Sequence, residues 1–283
     1  MGGGVAHGLT LGYHPRMKQN VIISLTSIPR RFPDALPRAV EALARQSLRA
    51  TIVVNIPAQY RKWGPVEPPS IPGAVVFAPS QDFGPGTKLL GALEYIADKP
   101  EIDYVITCDD DVLPRSRTHL EYLSRCAEAS PSAAITMKGV ALEKPPFRAG
   151  DGLRYRNKFR HVHLPAGFRG VVYPVRKLRN SSLPFTFANE FPDGVFNDDD
   201  FYFGALLQKL DIPLIAVPGR RLANAQGAGE SGVAEKVELD RRDNEANLIR
   251  FALEKGFLRP DLPSLARAHK VRLALLYLRY GML

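Results

Sequence analysis

Two separate runs of three aspartates are the residues of this chain best suited to chemistry: Asp109–Asp111 in "YVITCDDDVLPRS" and Asp198–Asp200 in "FNDDDFYFGALLQKL". Adjacent carboxylates repel one another, and the cost persists unless a cation or several hydrogen-bond donors offset it. One aspartate is enough to cap a helix or close a turn. Three exceed that need and point to a hard divalent ion, since Mg²⁺ or Mn²⁺ is commonly held by one or two carboxylates together with phosphate oxygens of a substrate.

The first run must be carried by a strand. "YVITC" is short, β-branched and apolar, and the aspartates follow at its carboxyl end. Similar strand signatures precede it in "NVIISLTS" (20–27), "TIVVNIP" (51–57) and "AVVFAP" (74–79), and follow it in "AAITMKG" (133–139), "GVVYPV" (170–175) and "PLIAVPG" (213–219). Between them, Leu36, Val40, Leu43, Ala44 and Leu48 recur at helical spacing, and "TKLLGALEYIAD" (87–98) and "RTHLEYLSRCAEA" (117–129) read as further helices. Near-continuous apolar strands imply burial on both faces. The alternation predicts an α/β fold with a doubly wound, mixed but mainly parallel sheet flanked by helices, and ligands in such sheets sit beyond the carboxyl ends of the strands. The second run opens another helix, where acids are favoured by capping and by the helix dipole.

These stretches resemble the GT-A fold, DxD-containing, nucleotide-sugar-dependent glycosyltransferases of bacterial type over roughly residues 20–219. "ISLTSIPRRF" resembles their first strand and loop, "DFGPGTKLLGAL" their donor-proximal loop and helix, and "CDDDV" their DxD. "GFRGVVYP" is similar to their acceptor-side segment and "NDDDFYFGALLQKLDIP" to the helix start that carries the catalytic carboxylate. The resemblance implies transfer of a sugar from a nucleotide donor, UDP-linked by expectation, to a hydroxyl of a glycan or lipid-linked acceptor, with inversion preferred. It implies that Asp109 meets the ribose or a water and shares the metal site with Asp111, which would hold Mn²⁺ or Mg²⁺ against the diphosphate, while Asp110 shapes the turn. Thr26 and Arg30 would line the nucleotide pocket, with Asp82 and Lys88 as further donor contacts. Lys88, at a helix start, would meet phosphate together with free backbone N–H groups. Asp200, with Asp199 beside it, would be the general base, its pKa raised by neighbouring carboxylates. In one respect the chain departs from the pattern: many metal-dependent members supply a histidine ligand after this helix, and here the only histidine beyond residue 163 is His269. His161 and His163 alternate as on one side of a strand and are expected to face the surface or an acceptor rather than a metal.

Composition bounds the rest. The chain has 283 residues, 45% of them hydrophobic, and a formal charge of +9, which admits a phosphorylated substrate, a polyanion or an anionic membrane surface. From Lys144 to Arg179 there are ten Lys and Arg and one acid, Asp151, so this segment is read as an acceptor-side surface suited to an anionic acceptor or a membrane. Two cysteines, Cys108 and Cys126, form no metal-binding or disulfide spacing, and a reducing, cytoplasmic setting is expected, with peripheral contact at the inner face of the membrane left open. Apolar runs such as "LALLYL" fall short of the roughly 20 residues that span a bilayer. Residues 1–19 read as a flexible lead, 20–233 as the catalytic domain and 234–283 as a helical extension. In that extension Arg267, Lys270, Arg272 and Arg279 do not gather on one face of a helical wheel, so packing on the domain is expected. The Gly- and Ala-rich stretch 224–232 is expected to be a loop that orders when donor binds.

Two rivals are distinguishable by sequence. A nucleotidyl- or phosphoryl-transfer enzyme would use similar carboxylates with two metals, but it should carry a Gly-rich phosphate loop near its first strand, where this chain has "SIPRRFP". A non-catalytic nucleic-acid or glycan binding module would exploit the +9 charge, but two acidic triplets repel phosphate and no aromatic-studded nucleic-acid motif interrupts the basic run. No nucleic-acid partner is therefore expected.

Overall fold

The computed structural model describes residues 20–281 except 115, 143–152, 155–158, 193–194, 196–197, 220–222, 225–246 and 260. The lead, the first part of the basic run (144–152 and 155–158) and nearly all of the loop at 224–232 therefore lie outside the described residues.

In chain order the strands are β1 (Val21–Thr26), β2 (Thr51–Asn55), β3 (Gln59–Tyr60), β4 (Gly64–Pro65), β5 (Val75–Phe77), β6 (Tyr104–Thr107), β7 (Val112–Leu113) and β8 (Ala134–Thr136), then β9 (Gly139–Ala141), β10 (Leu153–Arg154), β11 (Arg160–His161), β12 (Leu164–Pro165), β13 (Val171–Pro174), β14 (Leu214–Ala216) and β15 (Ala223–Asn224). The helices are α1 (Ala35–Ala44), α2 (Thr87–Tyr95), α3 (His119–Glu128), α4 (Val175–Arg179), α5 (Leu183–Thr186), α6 (Asp199–Lys209), α7 (residues 247–254) and α8 (Arg267–Leu276).

Eight strands form one mixed sheet in the order β11-β14-β8-β13-β6-β1-β2-β5. β5, β2, β1 and β6 run parallel, as do β8 and β14, while β13 is antiparallel to both of its neighbours and β11 to β14. This is the doubly wound, mainly parallel α/β architecture that the alternation predicts. Period-two burial builds it: Val21, Ile23 and Leu25 of β1 pack on one side with α1 and α3, and Ile22 packs on the other with α2 and α6. Both faces are apolar because both are covered, which gives three layers around a central sheet.

Register decides what meets at the carboxyl edge. Ser24 of β1 lies opposite Thr107 of β6, so the chain leaves both strands side by side, at Ser27 and at Asp109. The antiparallel β13 places Val171 opposite Thr107, so the segment entering β13 starts at the edge where β6 ends. A polar ladder ties α2 to this edge. Asn55 Nδ2 donates to Ser24 Oγ at 2.8 Å, and Ser24 Oγ donates to the Lys88 carbonyl at 2.5 Å. A Cβ on Gly91 would lie 2.7 Å from Asn55 Oδ1, so glycine lets the helix approach this closely.

Some sequence expectations are corrected here. His163 is neither surface nor acceptor-facing: it is buried, its Nδ1 accepts from Leu142 N–H at 2.9 Å, and Nε2 therefore carries the proton that meets the Arg259 carbonyl at 2.8 Å. In the basic run, Lys177 donates to the carbonyls of Leu210 and Asp211 and Arg179 to those of Lys99 and Ile102. These two cations tie neighbouring chain ends together and are spent on carbonyls, not on an acceptor. Among the described residues no helix is long and apolar enough to cross a membrane.

Candidate active site

The carboxyl edge of the sheet encloses a cavity of about 360 Å³ lined by both aspartate clusters, by Thr26, Ser27 and Arg31 from the loop after β1, by Tyr60 and Trp63, by Asp82 and Lys88, and by Phe168. That volume suits a small-molecule ligand.

The first cluster is held by cations of the chain itself. Arg31 forks across two of its members, Nη1 to Asp110 Oδ1 at 2.5 Å and Nη2 to Asp111 Oδ2 at 2.9 Å. Ser27 Oγ donates to the other oxygen of Asp110. Asp110 is thus buried inside a clasp between the β1 and β6 loops, and burial pushes its pKa up against the opposing pull of Arg31 and Ser27. Asp111 is more open, and Asp109 points to Lys88, whose Nζ lies 2.6 Å from its Oδ1.

Lys88 also reaches the second cluster, with Nζ 2.9 Å from Asp199 Oδ2. That contact is an ion pair without hydrogen-bond geometry. Burial would lower the Lys88 pKa, but Asp109, Asp199 and Asp200 outweigh it and the ammonium is stabilised well above its ordinary value. A lysine with this much charge around it stays protonated. The second triplet divides its labour. Asp198 is the N-cap of α6, its side chain accepting from Phe201 N–H at 3.2 Å, a contact worth about 1 kcal/mol. Asp199 and Asp200, one residue further on, face the cavity. Asp200 Oδ1 accepts the Gly167 N–H at 2.8 Å, and burial, then the charge of Asp199, pushes its pKa well above the carboxylate range.

Gly167 is at the closest approach in the site. A Cβ there would sit 2.7 Å from Asp200 Oδ1 and 3.4 Å from Lys88 Nζ. Gly167→Ala is therefore expected to displace the Asp200 carboxylate and lose its backbone donor, at about 1 kcal/mol, read in urea unfolding. A variant as stable as the parent would mean that the carboxylate swings aside freely.

Of the positions singled out by sequence, Thr26, Asp82, Lys88, Asp109, Asp110, Asp111, Asp199 and Asp200 all line one cavity. Two of them are occupied by structural bonds: Thr26 Oγ1 donates to the Asn55 carbonyl at 2.7 Å, and the two oxygens of Asp82 accept from the N–H groups of Arg61 and Gly84 at 2.9 and 2.8 Å. Arg30 is exposed and outside the lining; its neighbour Arg31 turns inward instead. Ser27, Tyr60, Trp63, Gly167 and Phe168 were not singled out for the site. Trp63 stands out in a proline-rich loop, which is a usable signal for an aromatic wall; Ser27 lies within "ISLTSIPRRF" and Gly167 and Phe168 within "GFRGVVYP", so the segments are marked without the residues, and Tyr60 carries no signal.

The donor set can be weighed against a divalent ion. Among the described residues no three Asp, Glu, His or Cys side chains converge as a metal cage. The cavity nevertheless carries six carboxylates against two cations, Arg31 and Lys88. That excess of hard oxygen fits an ion shared between one or two aspartates and a diphosphate, as Mg²⁺ and Mn²⁺ prefer.

No protein-family profile matches this chain, and no curated protein sequence does. Among solved structures, a mannosyltransferase from Pyrobaculum calidifontis in complex with GDP-Man and Mn²⁺ is similar with a TM-score of 0.52 at 15% identity, over 93% of this chain and 71% of that one. A CMP:2-keto-3-deoxy-manno-octonic acid synthetase complexed with CTP reaches a TM-score of 0.42 at 12% identity, over 80% of this chain and 98% of that one. The first of these is a likeness of fold.

Proposed function

We propose that this chain is a glycosyltransferase that moves a sugar from a nucleoside-diphosphate donor to an acceptor hydroxyl with the help of a divalent ion. The observation that carries this reading is the meeting of two carboxylate clusters, one at a strand end and one at a helix start, across a single cavity around the buried Lys88. One cluster suffices for a cap or a turn; two facing each other leave one for the leaving group and one for the nucleophile.

In this reading the nucleoside lies along the loop after β1 and the aromatic wall of Tyr60 and Trp63. Asp111 and Asp109 would hold Mn²⁺ or Mg²⁺, which when bound supplies Lewis-acid neutralisation of the departing diphosphate. Arg31 and Lys88 keep the carboxylates in place and supply the remaining positive charge. Asp200 takes the proton of the acceptor hydroxyl as that oxygen attacks the anomeric carbon. Its raised pKa makes it a stronger base than a solvated aspartate, and Gly167 N–H and Asp199 set its position. Attack from the side opposite the diphosphate inverts the anomeric centre. The acceptor enters past Phe168, whose ring has Lys138 Nζ 4.6 Å from its centre. The fold likeness to a structure holding GDP-Man and Mn²⁺ supports the donor class, and it puts GDP-sugars beside UDP-sugars as the first donors to test.

The test is a thermal-shift panel of UDP, GDP, CDP and their sugars with and without Mn²⁺. One nucleoside diphosphate should raise the melting temperature only with metal, by the mass action of a ligand that binds the folded state alone. Asp111→Asn should lose that shift. A shift produced by CTP alone, with release of pyrophosphate, would move the reading to nucleotidyl transfer; a shift with oligonucleotide alone would move it to a binding module.

A further inference from the structure

We infer that the outer face of α8 is a docking surface for an anionic phospholipid bilayer, a role independent of the sugar-transfer reading. The inner face of α8 and the turn after it is fixed to the domain. Leu273 is buried, His269 Nε2 lies 2.7 Å from Ser130 Oγ, Thr118 Oγ1 donates to the Tyr280 carbonyl at 2.7 Å, and the Tyr277 ring packs against Tyr122 with centres 5.8 Å apart. The opposite face is apolar and open to solvent. Val271, Leu275 and Leu278 are 53%, 60% and 62% exposed, large values for such side chains. Val271 and Leu275 lie four residues apart on α8, and Leu278 follows in the wider helical turn Tyr277–Gly281 that continues it, so the three form one stripe.

The charges around that stripe decide its occupant. Arg267, Lys270, Arg272 and Arg279 are all exposed, and no Asp or Glu occurs from 262 to 283. Measured around the helix from Val271, Lys270 and Arg272 stand about 100° to either side. Lys270 on one side and Arg272 and Arg279 on the other flank the apolar stripe, and Arg267 stands one turn before Val271 at the stripe's N-terminal end. That arrangement suits a helix lying in the plane of a membrane interface: the stripe enters the acyl boundary and the long basic stems reach sideways to lipid phosphates. The stretch is too short to span a bilayer. A protein partner would need acids around an apolar groove, whereas an anionic bilayer offers phosphate and hydrocarbon together over any length of helix.

The experiment is vesicle flotation of the full chain with phosphatidylcholine alone and with about a quarter phosphatidylglycerol added. Wild-type protein is expected to float with the anionic vesicles at least about tenfold more than with the neutral ones, and salt should weaken the binding. The combined variant Val271→Glu, Leu275→Glu, Leu278→Glu should lose about tenfold or more of that binding while melting at the wild-type temperature. Lys270→Gln with Arg272→Gln should erase the preference for anionic over neutral lipid. Failure of the wild type to float, or equal flotation of the triple variant, overturns the proposal. So does concentration-dependent self-association without lipid that the triple variant abolishes, since the stripe would then face a second copy.

Discussion

Asp200→Asn is expected to leave sugar transfer at least about 10²-fold below the wild-type rate while making the folded protein more stable at neutral pH. The loss follows from removing the carboxylate proposed as the base. The gain follows from the position of the residue, since its ionised form is disfavoured first by burial and then by Asp199. A carboxylate whose folded pKa lies above its unfolded value binds more protons in the native state, so stability falls as pH rises from the ordinary aspartate range through the folded pKa. Asparagine keeps an oxygen for Gly167 N–H and carries no charge to desolvate. The variant should exceed wild type by about 1 kcal/mol at pH 7, the usual yield of relieving a strained active-site group, and the two should converge as the pH drops toward 4. Thermal unfolding at both pH values, beside a turnover assay, checks this. A variant that is less stable at pH 7, or one that retains transfer, would remove Asp200 from the role of base.

Lys88→Met should be the most damaging single change to stability in the site. The side chain is buried, and its ammonium is the shared counter-ion of Asp109 and Asp199. Methionine fills a similar volume but takes the shared counter-ion from the largely buried Asp199 and from Asp109, a defect of about 3 kcal/mol, the low end for a buried pair because Asp109 is 26% exposed. Adding Asp199→Asn to Lys88→Met should recover part of the loss. Urea unfolding of the two single variants and the double variant closes the cycle. Strict additivity would mean that the ion pair contributes nothing and that Lys88 matters only for packing.

The sequence shows the layered fold clearly, because strands buried on both faces must be continuously apolar and the helices between them must carry an apolar stripe. β1, β6 and α2 appear where those patterns put them. Strand direction is invisible to that signal: "GVVYPV" reads the same whichever way it runs, and only the structure shows that it enters the sheet antiparallel between β6 and β8. The acidic clusters are legible because three like charges in a row demand an explanation. Which basic residue answers them is not. Pro29–Arg31 forms a single tight turn, in which successive side chains point about 120° apart, so Arg30 and Arg31 diverge and only the second reaches Asp110. His163 and Lys177 look like surface chemistry in sequence because their partners are main-chain groups. A backbone carbonyl or N–H leaves no trace in a pattern of side chains.

The grip of Arg31 and Ser27 on Asp110 bears on how selective the pocket is. Because that suture already fastens the turns after β1 and β6, a nucleotide bound as proposed above would find its berth in a preset shape and surrender little contact energy to arranging chain. The same rigidity narrows what the berth accepts, since a bulkier base or a longer phosphate chain would have to undo the suture to enter.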